Sequence, residues 1–305
     1  MRCINISQIN KAASNDVVSF IKKTNNDYKN KVANVAKKIS DDHKPIILLS
    51  GPSGSGKTTT AYCLRDELAL ININAHIVSM DNYFIPNKNI NERNVPKDEN
   101  GNVDLESPYR LDINLFQQHM KLMNECKTAN VPVFDFVHQD YSSVTPITRK
   151  ENEVIIIEGI HALNPEVTDD MSDIADCIYV SVRTRLKTSS GDILHPSHVR
   201  LMRRLIRDRL FRGRSYDDIF AMYDSVQRGE NLYIMPHKYR ANYDIDTFID
   251  YEVSVYKSII YDELIHADKT KYNHLRSMML KYMSEFHEIP TIFVPDNSLI
   301  KEFIG

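Results

Sequence analysis

Residues Gly51–Thr58 read G-P-S-G-S-G-K-T, which fits the pattern G-x-x-x-x-G-K-[ST]. In this pattern the glycines let the backbone curl until successive N–H groups point at one anion. Lys57 adds a mobile positive charge, and the hydroxyl of Thr58 is a ligand type suited to Mg²⁺. The motif therefore predicts a loop that binds the phosphates of a nucleoside triphosphate. Its predicted nucleotide-binding residues are Gly51, Ser53, Gly54, Ser55, Gly56, Lys57, Thr58 and Thr59.

The segments on either side of this loop are those that such a loop needs. Ile46–Leu49 is a short apolar run typical of a buried parallel strand. Thr59–Leu70 places Ala61, Leu64 and Leu68 at helical spacing. A helix that starts directly after the loop turns its positive end toward the same anion. The flanks therefore favour a ligand site over a plain glycine-rich turn.

Two further predicted strands end in an acid. Asp81 follows Ala75–Met80, and Glu158 lies near the end of Val154–Gly159. Ligands of open parallel sheets gather outside the carboxyl ends of the strands. A carboxylate there can accept the proton of a hydroxyl or bind Mg²⁺, and phosphoryl transfer needs both. A helix cap or a surface ion pair is the alternative interpretation of each acid.

The densest run of cations lies at residues 200–215, where four arginines share one face of a predicted helix and Gly213 is typical of a helix end. This arginine-rich segment has three alternative interpretations: a solvated helix face, a surface that binds nucleic acid, or a lid that clamps phosphates. Aromatic residues do not alternate with these arginines as they do in a stacking surface for nucleic acid. Given the loop upstream, the planar guanidinium favours the lid. The four residues are Arg200, Arg203, Arg204 and Arg207.

Composition narrows the class of protein. The chain has 305 residues and a net charge of −3, which argues against a general nucleic-acid binder. Its 4 cysteines are scattered without a C-x-x-C pair, which predicts reduced thiols. No stretch approaches the roughly 20 apolar residues of a membrane span. We therefore expect a cytoplasmic protein that has no membrane partner and for which a nucleic-acid partner is unfavoured.

The alternation of strands and helices predicts the fold class α/β, with a P-loop NTPase-type three-layer parallel sheet and helical N- and C-terminal extensions. Residues 1–44 are predicted to be a helical arm, 45–250 the P-loop domain with a lid at about 200–215, and 251–305 an extension packed on the core. Apolar stripes at helical spacing support both extensions. Further strands are predicted at Cys177–Val182 and Asp244–Asp250, an extended aromatic segment at Val131–Val137, and a helix at Ile113–Cys126.

The ordered set of motifs resembles the uridine kinase family, relatives of phosphoribulokinase. The helical arm before Pro45 and the closing residues 294–305 resemble a bacterial uridine-kinase-like branch of it. The resemblance runs from about Pro45 to Asp250. Besides the loop, it consists of S-M-D-N-Y-F at Ser79–Phe84, N-V-D at Asn102–Asp104, V-P-V-F-D-F at Val131–Phe136, I-I-E-G-I-H at Ile156–His161 and R-R-L-I-R-D-R-L-F-R-G-R at Arg203–Arg214.

The resemblance implies a role for each matching residue. Asp81 matches the acid that activates the nucleoside 5′-hydroxyl, and Glu158 matches an acid that helps to hold the metal. Asp104 matches an acid on the ribose hydroxyls, with Arg204 beside it. Arg207 and Arg214 match arginines at the transferring phosphate and in the lid. The implied catalytic residues are Asp81, Lys57 and Arg207, and the implied metal ligands are Thr58, Asp81 and Glu158.

The sequence departs from the family in the surface that reads the pyrimidine. Phe134 stands where pyrimidine kinases have tyrosine, Gln139 where they have histidine, and Met222 where they have glutamine, although His138 is next to Gln139. A site gains most of its selectivity from polar partners that a wrong ligand would leave unpaired. The predicted substrate-binding residues are Asp104, Phe134, His138, Gln139, Arg204 and Arg214.

These observations predict a Mg²⁺-dependent kinase that transfers the γ-phosphoryl group of ATP or GTP to the 5′-hydroxyl of a nucleoside, uridine or cytidine first. One alternative is a kinase of another small hydroxyl substrate, such as pantothenate or a sugar phosphate. The other is a catalytically weak nucleotide-binding or RNA-associated protein. Each of these three hypotheses is compatible with a homo-oligomer.

Overall fold

A parallel sheet lies at the centre of the computed structural model, which describes residues 2–97, 101, 103–169, 171, 173–267 and 272–305. The strands are β1 Cys3–Asn5, β2 Ile46–Ser50, β3 Ala75–Ser79, β4 Ala129–Asp135, β5 Asp140–Ile147, β6 Val154–Glu158, β7 Ala175–Ser181, β8 Arg185–Lys187, β9 Ile193–Leu194 and β10 Tyr243–Asp246. The α-helices are α1 Ile6–Asn15, α2 Val17–Asp42, α3 Lys57–Ala69, α4 Ile113–Asn124, α5 Pro165–Thr168, α6 Pro196–Arg212, α7 Tyr216–Ala221, α8 Tyr223–Gly229, α9 Glu252–His266, α10 Asn273–Ser284 and α11 Lys301–Ile304.

Shorter helical turns connect these elements. They are the 3₁₀ segments Met80–Tyr83, Asn87–Asn89, Pro108–Arg110, Met235–Arg240 and Thr291–Phe293, and the π-helical turn Glu230–Ile234. Asn102, which belongs to the predicted motif Asn102–Asp104, lies outside the described residues. Across the part of the chain that is described, none of the helices combines the length and hydrophobicity required to cross a bilayer.

The central sheet has the strand order β10-β7-β2-β6-β3, and all its pairings are parallel. Every residue of β2 is buried, because this strand lies in the middle with a hydrophobic cluster on each face. Ile46 and Leu48 belong to one cluster, and Ile47 and Leu49 to the other. Helices therefore cover both faces, and the predicted α/β three-layer fold is confirmed.

The parallel register brings three loops to the same edge of this sheet. Leu49 of β2 pairs with Glu158 of β6, and Glu158 pairs in turn with Ser79 of β3. The loop Gly51–Thr58, hereafter the P-loop, follows β2, and Asp81 lies in the 3₁₀ turn after β3. The predicted phosphate loop and both predicted acids therefore meet at one edge.

The N-terminal segment contains a strand besides its helices. β1 pairs in parallel with β8, which pairs with β9, so this segment contributes to a second small sheet. Asp16 caps α2 by accepting a hydrogen bond from the Ser19 N–H at 3.0 Å. On α2, the Tyr28 hydroxyl lies 2.9 Å from the Thr60 hydroxyl of α3, and both are buried. The domain boundaries at residues 44 and 250 remain predictions.

Two predicted segments differ from the strands that the structure has there. The last strand of the sheet, β10, ends at Asp246 and not at Asp250, because residues 247–251 turn toward the P-loop and α9. The predicted Val131–Val137 is β4, Ala129–Asp135, and it pairs antiparallel with β5 outside the central sheet. Sequence periodicity missed β5, whose side chains are mostly exposed.

A fully buried ion pair joins α6 to α9. Arg203 and Glu252 are both 0 % exposed, and their two hydrogen bonds measure 2.7 and 2.9 Å. Arg203 also donates to the Gly54 carbonyl at 3.1 Å and to the Thr247 carbonyl at 2.8 Å. The Thr247 hydroxyl donates to the Ser55 carbonyl at 2.6 Å. The predicted arginine stripe is therefore divided, since Arg203 supports the P-loop from inside the core.

We expect Glu252→Gln to destabilise the protein by about 3 to 5 kcal/mol, because it leaves the Arg203 charge buried without its counter-ion. Glu263→Gln is the matched control. It breaks the Arg209–Glu263 pair, whose side chains are 48 % and 52 % exposed, and should cost less than about 1 kcal/mol. Urea unfolding monitored by circular dichroism measures both changes. Equal losses in the two variants would contradict the structural importance of the buried pair.

Candidate active site

Two glycines of the P-loop show why its backbone needs this residue. Gly56 has a φ of +84°, in the left-handed region that side chains disfavour. A Cβ on Gly51 would lie 2.0 Å from the carbonyl oxygen of Val180 on β7. The spacing of glycines in the sequence thus reflects both backbone conformation and contact with the neighbouring strand.

The P-loop leads directly into α3, whose first residue is Lys57. The first N–H groups of a helix have no partner within it, and they carry its positive end. The Lys57 ammonium donates to the Pro52 carbonyl within the loop at 3.3 Å. The Thr58 hydroxyl lies 3.5 Å from a carboxylate oxygen of Glu158. The loop is therefore arranged to receive an anion beside an acid.

A cleft of about 320 Å³ opens above the P-loop at this edge of the sheet. It brings together all the predicted catalytic and metal-binding residues and part of the predicted substrate-binding set. The predicted residues that line it are Ser53, Gly54, Lys57, Thr58, Asp81, Gln139, Glu158, Arg204, Arg207 and Arg214. Further lining residues are Phe84, Leu105, Glu106, Arg110, Phe136, Ile160, Asp208, Arg212, Met222, Val226 and Glu302.

The two acids at the sheet edge influence each other. Burial, followed by the charge of Asp81, raises the pKa of Glu158 to about 7, while Lys57 acts in the opposite direction. The Glu158 carboxylate beside the Thr58 hydroxyl and the Asp81 carboxylate in the same cleft fit Mg²⁺. This ion binds one or two protein carboxylates and takes its other ligands from substrate phosphates and water. The described residues contain no group of three or more His, Cys, Asp and Glu side chains arranged to hold a metal by themselves.

Asp208 organises the arginines on the opposite wall of the cleft. It is 1 % exposed, and its carboxylate oxygens lie 2.8 Å from Arg207 Nε, 3.4 Å from Arg212 Nη1 and 3.3 Å from Arg214 Nη1. Burial opposes its ionisation, but the arginines outweigh burial and lower the pKa of Asp208. The sequence analysis missed Asp208, although an acid within an arginine run was a visible signal.

Asp104, the predicted ribose-binding acid, does not line the cleft. It is 3 % exposed and pairs with Arg228 at 2.9 Å and with the Tyr233 hydroxyl at 3.1 Å. Glu106, two residues along the chain, lines the cleft instead. The sequence analysis missed Glu106 because it belongs to none of the motifs that carry the resemblance.

Two other predicted substrate-binding residues lie outside the cleft. Phe134 is 5 % exposed and packs behind Phe84 and Phe136, with ring centroids 5.7 and 5.3 Å away. His138 turns to solvent, where Asp135 accepts a 2.5 Å hydrogen bond from its ring. Gln139 does line the cleft, and so does Met222. Phe84 and Phe136 thus form an aromatic wall of the cleft, and the predicted Phe134 does not line it.

The fold and the cleft together are those of a P-loop kinase. A solved structure of a candidate fructose transport system kinase from Silicibacter sp. TM1040 matches the fold with a TM-score of 0.52 at 20% identity, covering 70% of this chain and 98% of that one. The sequence model of the phosphoribulokinase / uridine kinase family matches residues 46–254. The chain therefore belongs to the phosphoribulokinase / uridine kinase family, and it is a kinase acting on a small hydroxyl substrate.

A curated relative supports the same placement. A uridine kinase from Staphylococcus aureus (strain JH9) is 33% identical over 186 residues, which cover 60% of this chain and 77% of the relative. The family match ends at residue 254, so most of the C-terminal segment lies outside it. The predicted resemblance is confirmed at the level of the family.

Glu106 gives the stability of the protein a pH dependence. Burial raises the pKa of its carboxyl from 4.5 to about 7. Its Oε2 is buried and has no hydrogen-bond partner among the described residues. Below pH 4.5 the Glu106 carboxyl is protonated in both the folded and the unfolded protein. Between pH 4.5 and 7 only the unfolded state ionises, so folding loses stability as pH rises, and above pH 7 the cost is constant.

We therefore expect the stability of Glu106→Gln relative to wild type to increase by roughly 1 to 3 kcal/mol when the pH is raised from 5 to 8. Glutamine keeps the shape of the side chain, which packs tightly against Gly229. Denaturant unfolding at the two pH values measures the gain. Glu125→Gln, an exposed acid beside Lys127, is the control and should show no such gain. An unchanged difference between Glu106→Gln and wild type at both pH values would refute the prediction.

Proposed function

We propose that the protein catalyses Mg²⁺-dependent transfer of the γ-phosphoryl group of ATP or GTP to the 5′-hydroxyl of a nucleoside, with uridine and cytidine as the first candidates. One observation carries this proposal: a single cleft contains the P-loop cradle, both sheet-edge acids and the arginines around Asp208. Membership of the phosphoribulokinase / uridine kinase family and the similarity to a uridine kinase support it.

On the donor side, the N–H groups of the P-loop and the start of α3 bind the phosphates, and Lys57 neutralises the outer ones. Thr58, Asp81 and Glu158 are the residues that would hold Mg²⁺. When bound, the metal supplies charge neutralisation between the β- and γ-phosphates. The raised pKa of Glu158 is consistent with an acid placed for a cation.

On the acceptor side, Asp81 orients the hydroxyl and takes its proton. The aromatic wall of Phe84 and Phe136 offers a face on which a planar base can stack. Glu106 and Gln139 also line the cleft and supply hydrogen-bonding groups. These groups differ from the residues with which the family reads a pyrimidine. The proposal of a pyrimidine base is therefore supported by the aromatic wall and by the similarity of the chain to a uridine kinase.

The arginines complete the site when the lid closes. Because Arg203 is anchored in the core, the part of the lid that can move begins after it. This part includes Arg207 on α6 and Arg214, which follows the end of the helix. Asp208 holds these guanidinium groups together against their mutual repulsion. Closure would place their charge at the transferring phosphoryl group and exclude water. We place this reaction in the cytoplasm and expect a homo-oligomer to be compatible with it.

We expect Asp81→Asn to fold normally and to lose about 10²- to 10⁴-fold in kcat, because asparagine cannot accept the hydroxyl proton. Steady-state kinetics with saturating acceptor measures the loss, and circular dichroism checks the fold. Asp192→Asn is the control, since this exposed acid pairs with Lys281 and does not line the cleft. Near wild-type turnover in Asp81→Asn would remove this residue from the mechanism.

The acceptor is tested with radiolabelled ATP and a panel of uridine, cytidine, pantothenate and sugar phosphates. We expect label on uridine or cytidine, and none on 5′-deoxyuridine, which lacks the receiving hydroxyl. Labelling of a non-nucleoside, with both pyrimidine nucleosides inert, would replace the proposed substrate class. Salt-dependent RNA binding without any labelled acceptor would overturn the proposal in favour of an RNA-associated protein.

A further inference from the structure

The C-terminal tail, defined here as residues 294–305, packs directly on the P-loop. The Ser298 hydroxyl lies 2.8 Å from the Tyr251 hydroxyl, which anchors the tail to the start of α9. A side-chain carbon of Leu299 lies 3.0 Å from the position that a Cβ on Gly56 would take. Phe303 is fully buried, with the Arg203 guanidinium 5.0 Å from its ring centroid. The tail therefore contacts the same elements that shape the phosphate site.

Glu302 places a carboxylate of this tail at the start of α3. Its Oε2 accepts a hydrogen bond from the Thr59 N–H at 2.9 Å. Thr59 is the third residue of α3, so its N–H is one of the donors that the helix leaves free for an anion. Glu302 also lines the cleft together with Lys57 and Thr58. One of the chain's own carboxylates thus uses a donor that a nucleotide phosphate would need.

A phosphate and this carboxylate are incompatible neighbours. Both are anions, both seek the same N–H group, and like charges at short range inside a cleft repel strongly. The tail also reaches the lid, because the ring of Phe211 near the end of α6 lies next to Gly305. Movement of the tail would therefore free the phosphate site and change the support of the lid at the same time.

We propose that Glu302 is an autoinhibitory group which occupies part of the phosphate site, and that the tail must release Thr59 before a nucleoside diphosphate or triphosphate binds fully. This inference rests on the proposed function, since it assumes that the P-loop binds nucleotide phosphates. The residues responsible lie beyond residue 254, where the family match ends. A purely structural cap of α3 by Glu302 is the alternative that the experiment must separate.

The test compares the affinity of wild type, Glu302→Gln and Asp296→Asn for ADP with Mg²⁺ by isothermal titration calorimetry. We expect Glu302→Gln to bind about 5-fold or more tightly, the size of a typical coupling between sites. Asp296→Asn removes the same charge from the same tail, but this side chain is fully exposed and lies 3.7 Å from Lys301. It should bind like wild type.

A second measurement follows the tail itself. Hydrogen–deuterium exchange of peptides covering residues 294–305 should increase when ADP and Mg²⁺ bind to wild type. Equal or weaker binding by Glu302→Gln, or slower exchange of the tail with ADP, would overturn the inference in favour of a structural cap and leave the proposed function intact. Absence of ADP binding in wild type and in Glu302→Gln would overturn both, because a vacated site that holds no phosphate is not a phosphate site.

Discussion

The buried pair of Arg203 and Glu252 is the interaction on which the rest of the site depends. Removing two charges from water is expensive, and the pair is tolerable because its donors and acceptors find further partners. Arg203 reaches the carbonyls of Gly54 and Thr247 besides the carboxylate. One side chain thus connects α6, the P-loop, the segment after β10 and the start of α9. The P-loop keeps its shape because this connection leaves it little freedom.

The acids and the arginines of the cleft belong to different secondary-structure elements. The acids Asp81 and Glu158 stand at the ends of parallel strands, where the register brings them together. The arginines stand on α6 and directly after its end, and Asp208 of the same helix partly neutralises their charge. A bound triphosphate would pair with the arginines, and a bound cation would pair with the acids. The two ligands together account for the opposite charges that lie in one cleft. The tail carboxylate of Glu302 adds a negative charge at the start of α3.

Local patterns in the chain predicted the donor side of the site better than the acceptor side. The P-loop is contiguous, so its glycines, Lys57 and Thr58 could be identified without knowledge of distant contacts. The acceptor side is assembled from separate segments. Glu106, Phe84 and Phe136 line the cleft there, and the predicted Asp104 and Phe134 do not. A shift of one or two residues changes which side chain faces a cleft, and motif spacing does not resolve such a shift.

The amino-acid sequence by itself determined the class of fold, the P-loop and the sheet-edge acids, because these depend on short-range periodicity and on glycines with special backbone angles. It also indicated the helix end at Gly213, where the structure has a φ of +63°. Only the tertiary structure decided that Arg203 is a core residue, that Asp208 pairs with three arginines of the cleft, and that Glu302 reaches Thr59. The positions of Arg203 and Glu302 depend on contacts between segments far apart in the chain. The pairing of Asp208 is local in sequence, but it depends on the burial of this carboxylate. Neither burial nor charge pairing of this kind leaves a periodic signal in the sequence.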